Sequence, residues 1–252
     1  MAQLPATPYK LEPSAHVSIA VTLHLRDWST SANWNAAVAA GDSLTFAGTA
    51  RLAPANDFAA GTSFSGITFG STAGAFTVAG NPIVLAGNIT DLRPSMTMIL
   101  DFDMAPTATP TVEIAADGTL AISGAISGSA GLTKSGGGRL TLRGANTFTG
   151  SVTVNAGTLR VNDNSALGAT ASGTTVAGGA TLDISGANAG TNALVLGSEM
   201  ITVSGSGAGG DGAIISNFGN AQSNALQNVT LAGNTTFGGS GPWVTSGANP
   251  GR

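Results

Sequence analysis

The sequence predicts an all-β chain folded as a single elongated parallel β-helix, and three observations carry that reading. Short runs in which apolar residues alternate with Thr or Ser recur along all 252 residues. No stretch of ten or more residues shows the i, i+3, i+4, i+7 spacing of a helix. One glycine-bounded unit returns at a nearly constant interval.

The runs, in chain order, are SLTF (43–46), GITF (66–69), FTV (76–78), IVLA (83–86), MILDF (98–102), TVEI (111–114) and TLAI (119–122). RLTL (139–142), SVTV (151–154), TLRV (158–161), TLDI (181–184), MITV (200–203) and NVTLA (228–232) follow. Each puts branched or large apolar residues on one side of a period-2 strand and is bounded by Gly, Asn or Ser. A sandwich or propeller would join many of them by tight hairpins, yet no two neighbouring runs are separated by a bare Asn-Gly or Asp-Gly pair.

The repeat is clearest in GTLAISGAISG (118–128), GRLTLRGANTFTG (138–150), GTLRVNDNSALG (157–168) and GATLDISGANAG (179–190). Their first apolar residues, Leu120, Leu140, Leu159 and Leu182, are 20, 19 and 23 residues apart, which suits a solenoid coil of two or three strands. With coils stacked at the ~4.8 Å strand spacing, these leucines form one buried ladder. Ile122, Leu142, Val161 and Ile184 form the next. Ala121, Thr141, Arg160 and Asp183 then face outward, so Arg160 and Asp183 are expected side by side on the surface. Such an exposed pair contributes only about 0–1 kcal/mol, but it tests the register, because a one-residue slip would turn the leucines to solvent. Gly144, Asn146, Gly150, Asn155 and Gly157 are expected to turn the corners. Roughly ten coils would give a rod about 40–50 Å long.

Composition narrows the function. Only 9% of residues are charged, against ~25% in an average soluble domain, so the surface must be made of Thr, Ser, Asn and Gly. Glycine, at 37 residues, acts as punctuation between strands. A net charge of −4 and scattered cations provide no basic face for nucleic acid. The chain has no Cys, which rules out disulfides and thiolate metal sites and suits passage through a periplasm in the unfolded state. No apolar run reaches the ~18–20 residues of a membrane-spanning helix. The first apolar stretch, AHVSIAVTLHL from Ala15, is interrupted by His24 and makes a poor signal peptide. The natural start is therefore expected upstream, or the chain is a fragment.

Candidate chemistry is sparse. His16 and His24 lack the Cys, His or carboxylate neighbours a metal would need and read as surface residues of a first strand. Gly205, Gly207 and Gly210 spell G-x-G-x-x-G after a strand, but no helix pattern follows. With Gly209 and Asp211 the same loop partly mimics one calcium-binding nonapeptide, without the neighbouring turns that share ligands. Asp101, Asp103, Glu113 and Asp117 form the densest acidic group; alternating with apolar residues, they read as outward solubilising charges and not as the carboxylates of a sugar-cleaving site. Trp28, Trp34, Trp243 and Tyr9, the aromatics that could stack on a sugar, lie near the ends. Asn88, Asn228 and Asn234 match N-x-[ST] by coincidence of composition. Lys134, Arg139, Arg143 and Arg160 bring four of the nine cations into 27 residues, a strip that could touch anionic glycans or simply keep flat β surfaces apart. No cofactor, metal or catalytic residue is expected.

Residues 131–168, GLTKSGGGRLTLRGANTFTGSVTVNAGTLRVNDNSALG, closely resemble the autotransporter-associated β-strand repeat, also called the passenger-associated transport repeat. GLTK, a Gly-rich step, LTL, G-A-N-T-aromatic-T-G, a T-V strand, G-T-L and a closing A-L-G follow the family pattern. DWSTSANWNAAVAAGDSLTFAG (27–48), FSGITFG (64–70) and FTVAGNPIVLAGNI (76–89) resemble, less specifically, the region that precedes the repeat in large surface proteins. The resemblance implies a right-handed parallel β-helix in an extracellular passenger of Gram-negative type V secretion, associated with outer-membrane transport and folding and not with a reaction. The expected organisation is an uncertain N-terminal segment (1–26), N-terminal coils (27–117), the repeat coils (118–190) and C-terminal coils with a fraying or truncated end (191–252). The expected function is a non-enzymatic stalk or spacer at the bacterial cell surface. Its expected partners are other segments of a larger surface protein and an outer-membrane barrel translocator. One rival is an adhesin for host or matrix glycans, using the cationic strip; the other is a polysaccharide lyase or hydrolase.

Overall fold

The structure is a computed structural model that describes residues 16–18, 27–50, 52–186, 194–217, 222 and 225–242. Among them every strand pairing is parallel, and the strands stack as a β-solenoid. Parallel neighbours cannot be joined by a hairpin, so the chain travels around the coil before each strand meets its partner.

The first wall is a ten-stranded sheet built from His16–Ser18, Ser43–Phe46, Gly66–Phe69, Ile89–Asp91, Thr111–Ile114, Leu132–Ser135, Val152–Val154, Thr174–Val176, Met200–Gly205 and Asn228–Thr235. Nine gaps at the usual strand spacing make this wall about 43 Å long. The second wall has nine strands: Ala55–Asn56, Thr77–Gly80, Thr97–Asp101, Thr119–Ile122, Arg139–Leu142, Gly157–Val161, Ala180–Asp183, Ile214–Ile215 and Phe237–Gly238. A third wall, Thr62–Phe64, Ile83–Leu85 and Met104–Pro106, belongs to the early coils. In later coils that side continues as hydrogen-bonded turns: Thr147 N donates to Ile126 O at 2.9 Å, and Ala169 N to Phe148 O at 2.8 Å.

Alternation packs the interior. Along the first wall Leu44, Ile67, Ile89 and Val112 are successive Cα partners and all are buried. Along the second wall Leu120, Leu140, Leu159 and Leu182 are successive partners, as are Ile122, Leu142 and Val161; these seven residues and Ile184 are buried. Leu182 is followed in the stack by Ile214, so that coil is longer and holds the three-residue 3-10 turn Ala208–Gly210.

Early coils are filled by aromatic rings. Trp28 packs on Phe46, Phe64 and Phe102 with centroids 5.8, 5.4 and 5.8 Å apart, and Trp34 lies 5.6 Å from Phe46. Both tryptophans are buried, so neither offers a platform for a sugar. Trp34 Nε1 donates to Trp28 O at 2.8 Å, which fixes the Asp27–Trp34 segment against the first coils.

Inward positions are not all apolar, and Asp91 is one exception. Phe46, Phe69, Asp91 and Ile114 are successive partners, and Asp91 is completely buried. Its Oδ1 accepts Arg93 N at 3.0 Å, whereas Oδ2 has no partner among the described residues. Burial pushes this carboxyl up to about 6, because a desolvated carboxylate disfavours its charge.

Candidate functional site

The repeat, from Leu132 to Val161, stacks its coils through both main walls. Leu132 pairs with Val152, Thr133 with Thr153 and Lys134 with Val154 on the first wall; Arg139 to Leu142 pair with Thr158 to Val161 on the second. The corners between these walls hold the coils together through side chains. Asn146, which is buried, accepts Ile126 N on Oδ1 at 2.8 Å and donates from Nδ2 to Ala166 O at 2.6 Å. It bridges the coil before it and the coil after it. Phe148, also buried, fills the space beside this corner.

Two of the expected corner glycines have steric reasons. A Cβ on Gly144 would run into the Gly124 carbonyl of the preceding coil. Gly157 has φ +66°, a left-handed conformation that L side chains rarely adopt, and it opens the strand Gly157–Val161 instead of ending a turn. Asn155 is exposed and its backbone N–H donates to Lys134 O at 2.9 Å.

The cationic strip does not include Lys134. This residue is fully buried, stacked between Val112 and Val154 in an inward ladder. Its Nζ donates to Ser135 O at 2.6 Å, Gly136 O at 2.8 Å and Ala156 O at 3.2 Å. All three ammonium protons therefore meet backbone carbonyls of the Gly-rich corner and of the next coil. Burial lowers its pKa to about 8, opposed by the attraction of the Glu113 carboxylate. The expectation of a surface lysine fails because a long side chain can stay inside when corner carbonyls accept its charge.

Arg139 and Arg143 are exposed and Arg160 is half-buried; all three lie on or beside the outer face of the second wall. Arg160 meets Asp183 as the register requires, Nε to Oδ2 at 3.8 Å, and its Nη2 donates to Ser185 O at 3.0 Å. Asp183 itself is not on the surface: it is 2% exposed, and its Oδ1 accepts Ser185 N at 2.8 Å. A carboxylate folded back on its own turn and lying beside an arginine is shielded even on an outward position.

The remaining candidates stay apart. Asp101, Asp103, Glu113 and Asp117 are exposed and sit on different walls or corners; Asp103 Oδ1 accepts Ala125 N at 2.7 Å, and Asp117 adopts φ +62° at a corner. No group of three or more metal-ligating side chains gathers among the described residues. Gly205 ends a strand, Gly207 precedes the short 3-10 turn and Gly210 is its last residue, without the helix a pyrophosphate would need. Asp211 is exposed beside it. His16 belongs to the first strand; His24, Tyr9 and Trp243 lie outside the described residues. Asn88 Oδ1 accepts Thr111 N at 2.8 Å and Asn228 Nδ2 donates to Ser198 O at 3.1 Å, so both side chains link coils. Asn234 is exposed on the Asn228–Thr235 strand.

Comparison with known proteins identifies the same region. Residues 132–161 match the family described as passenger-associated-transport-repeat. Over 109 residues, 43% of this chain, the sequence is 42% identical to the adhesin BmaC autotransporter of Brucella suis biovar 1 (strain 1330). The matched segment is 3% of that relative's length. No solved structure matches the chain. The chain thus carries a passenger-associated transport repeat, folded as stacked coils of a parallel β-solenoid.

Proposed function

We propose that this chain is a non-enzymatic, extracellular spacer of an autotransporter-like passenger, working as a rigid stalk that supports secretion, folding and display at the bacterial cell surface. The observation that carries this reading is the in-register stack of the repeat, in which each coil supplies both the apolar ladder and the backbone edge for the next. A coil bound to one already folded gains its hydrogen bonds and its burial together, so folding propagates from coil to coil. During export, coils that fold outside the cell oppose backsliding of the chain. Its partners in this role are neighbouring segments of a larger surface protein and an outer-membrane translocator barrel.

The test is a double substitution in the ladder, Leu140→Asp with Leu159→Asp. Two buried, unpaired carboxylates between apolar neighbours cost more than a domain's typical stability margin can absorb. The variant is expected to lose folding of the repeat and surface display, measured by protease accessibility on intact cells with the chain in its parent protein. Display at the level of the unsubstituted protein overturns the proposal.

A further inference from the structure

The outer face of the first wall carries a pattern that the spacer role does not require. Thr111, Thr133, Thr153, Thr175, Thr202 and Thr230 are successive Cα partners across six coils. Each lies on the outward side of its strand, exposed or half-buried. Among the described residues none forms a hydrogen bond with any of these six side-chain hydroxyls. They therefore form a straight row of free donor-acceptor groups repeating at the ~4.8 Å strand spacing.

At the C-terminal half of the row the surface becomes a groove of about 690 Å³. Thr175, Thr202 and Thr230 line it together with Ser198, Gln227 and Met200. Among the described residues, no lysine, arginine, aspartate or glutamate contributes to its lining. Met200 is 53% exposed, an apolar thioether left open to solvent between hydroxyl and amide side chains. Glu199, next to Met200 in the chain, is buried, and its Oε1 accepts the hydroxyl of the buried Thr174 at 2.7 Å, tying the segment before Met200 to the strand that carries Thr175.

We infer that this groove binds an uncharged polysaccharide whose strand runs along the threonine row. Hydroxyls and amides both donate and accept, which matches a polymer of hydroxylated rings better than any ligand of fixed charge. The absence of lining cations disfavours an anionic glycan, and the exposed methionine provides an apolar contact for a ring face. The site lies on the opposite kind of surface from Arg139, Arg143 and Arg160, which belong to the second wall. It does not rest on the spacer reading; a chain that is displayed normally yet binds no uncharged polymer fails here alone.

The test measures binding of the whole 252-residue chain to galactomannan and xyloglucan, with heparin as the anionic counterpart. Binding to an uncharged polymer is expected, unchanged by salt and weakened about tenfold or more by Thr175→Val with Thr202→Val. Valine keeps the branched shape, so the strands should persist; circular dichroism checks this. In a second measurement independent of substitution, saturating polymer should shield Met200 from peroxide oxidation, read by peptide mass spectrometry. The proposal is overturned by absence of binding to both uncharged polymers, by full binding of the valine variant, or by unshielded Met200. Binding confined to heparin and lost when Arg139, Arg143 and Arg160 become Gln also overturns it and assigns recognition to the charged strip.

Discussion

At the residue scale, Lys134 shows how a position can contradict its own chemistry. Its ammonium is held by three carbonyls, yet burial brings its pKa down to about 8 from an ordinary 10.5. Between these values the unfolded chain holds a proton that the folded chain has released, so stability rises as pH increases through that window. The gain is on the order of 3 kcal/mol across it. Urea midpoints measured from pH 7.5 to 10.5 should show this rise, and Lys134→Met should flatten it. An equal slope in that variant would assign the effect to other groups. Asp91 has the opposite dependence: raised to about 6, it contributes stability that is gained as pH falls from 6 towards 3.8. Neither residue's burial was legible in the sequence. Alternation marks which side of a strand a residue occupies, but only the folded corner and the facing coil reveal whether carbonyls wait there for a charge, and those acceptors sit one to twenty-two positions away.

At the scale of the element, strands and corners divide the work. Long runs such as TLAI and RLTL announce themselves because alternation is local and both faces are sampled within four residues. Ala55–Asn56, Ile214–Ile215 and Phe237–Gly238 span two residues each, too few to display a period, and their strand character comes from the neighbour they pair with. Corners depend on side chains that reach between coils. Asn146→Ala removes an acceptor from Ile126 N and a donor from Ala166 O at a buried site, and should cost about 2–4 kcal/mol. Asn155→Ala, at an exposed corner, should stay within about 0.5 kcal/mol of the unsubstituted protein. Thermal or urea unfolding of the two variants checks the contrast; equal losses would deny the buried asparagine its bridging role.

For the whole molecule, stability should vary along the stack. Interior coils are covered by a neighbour on both sides, whereas Asn228–Thr235 pairs on one side among the described strands. At this end of both walls inward positions open to solvent: Leu231 on Asn228–Thr235 is 56% exposed and Phe237 on Phe237–Gly238 41%. In a one-dimensional array each coil borrows stability from those adjoining it, so opening begins where one interface is missing. Hydrogen exchange should therefore be at least about tenfold faster in Asn228–Thr235 than in Arg139–Leu142 and Gly157–Val161. Uniform protection would mean that the stack unfolds as a single unit. The solenoid class is legible in the sequence because spacing near twenty residues and glycine-bounded alternation survive without reference to any partner. The threonine row was visible in the letters TVEI, LTKS, VTV, TTV, MITV and NVTL, yet its alignment was not, since unequal loops separate them.

The tight corner at Gly144 also has an evolutionary consequence. Because a side chain there would strike the backbone of Gly124, neither coil can vary at that point without regard to the other. Copying an entire coil carries its glycine, its asparagine and its ladder residues together and preserves every stacking contact. Changing one letter at the corner does not. The heritable unit of such a rod is the coil, and lengthening by duplication is sterically easier than diversification by point substitution.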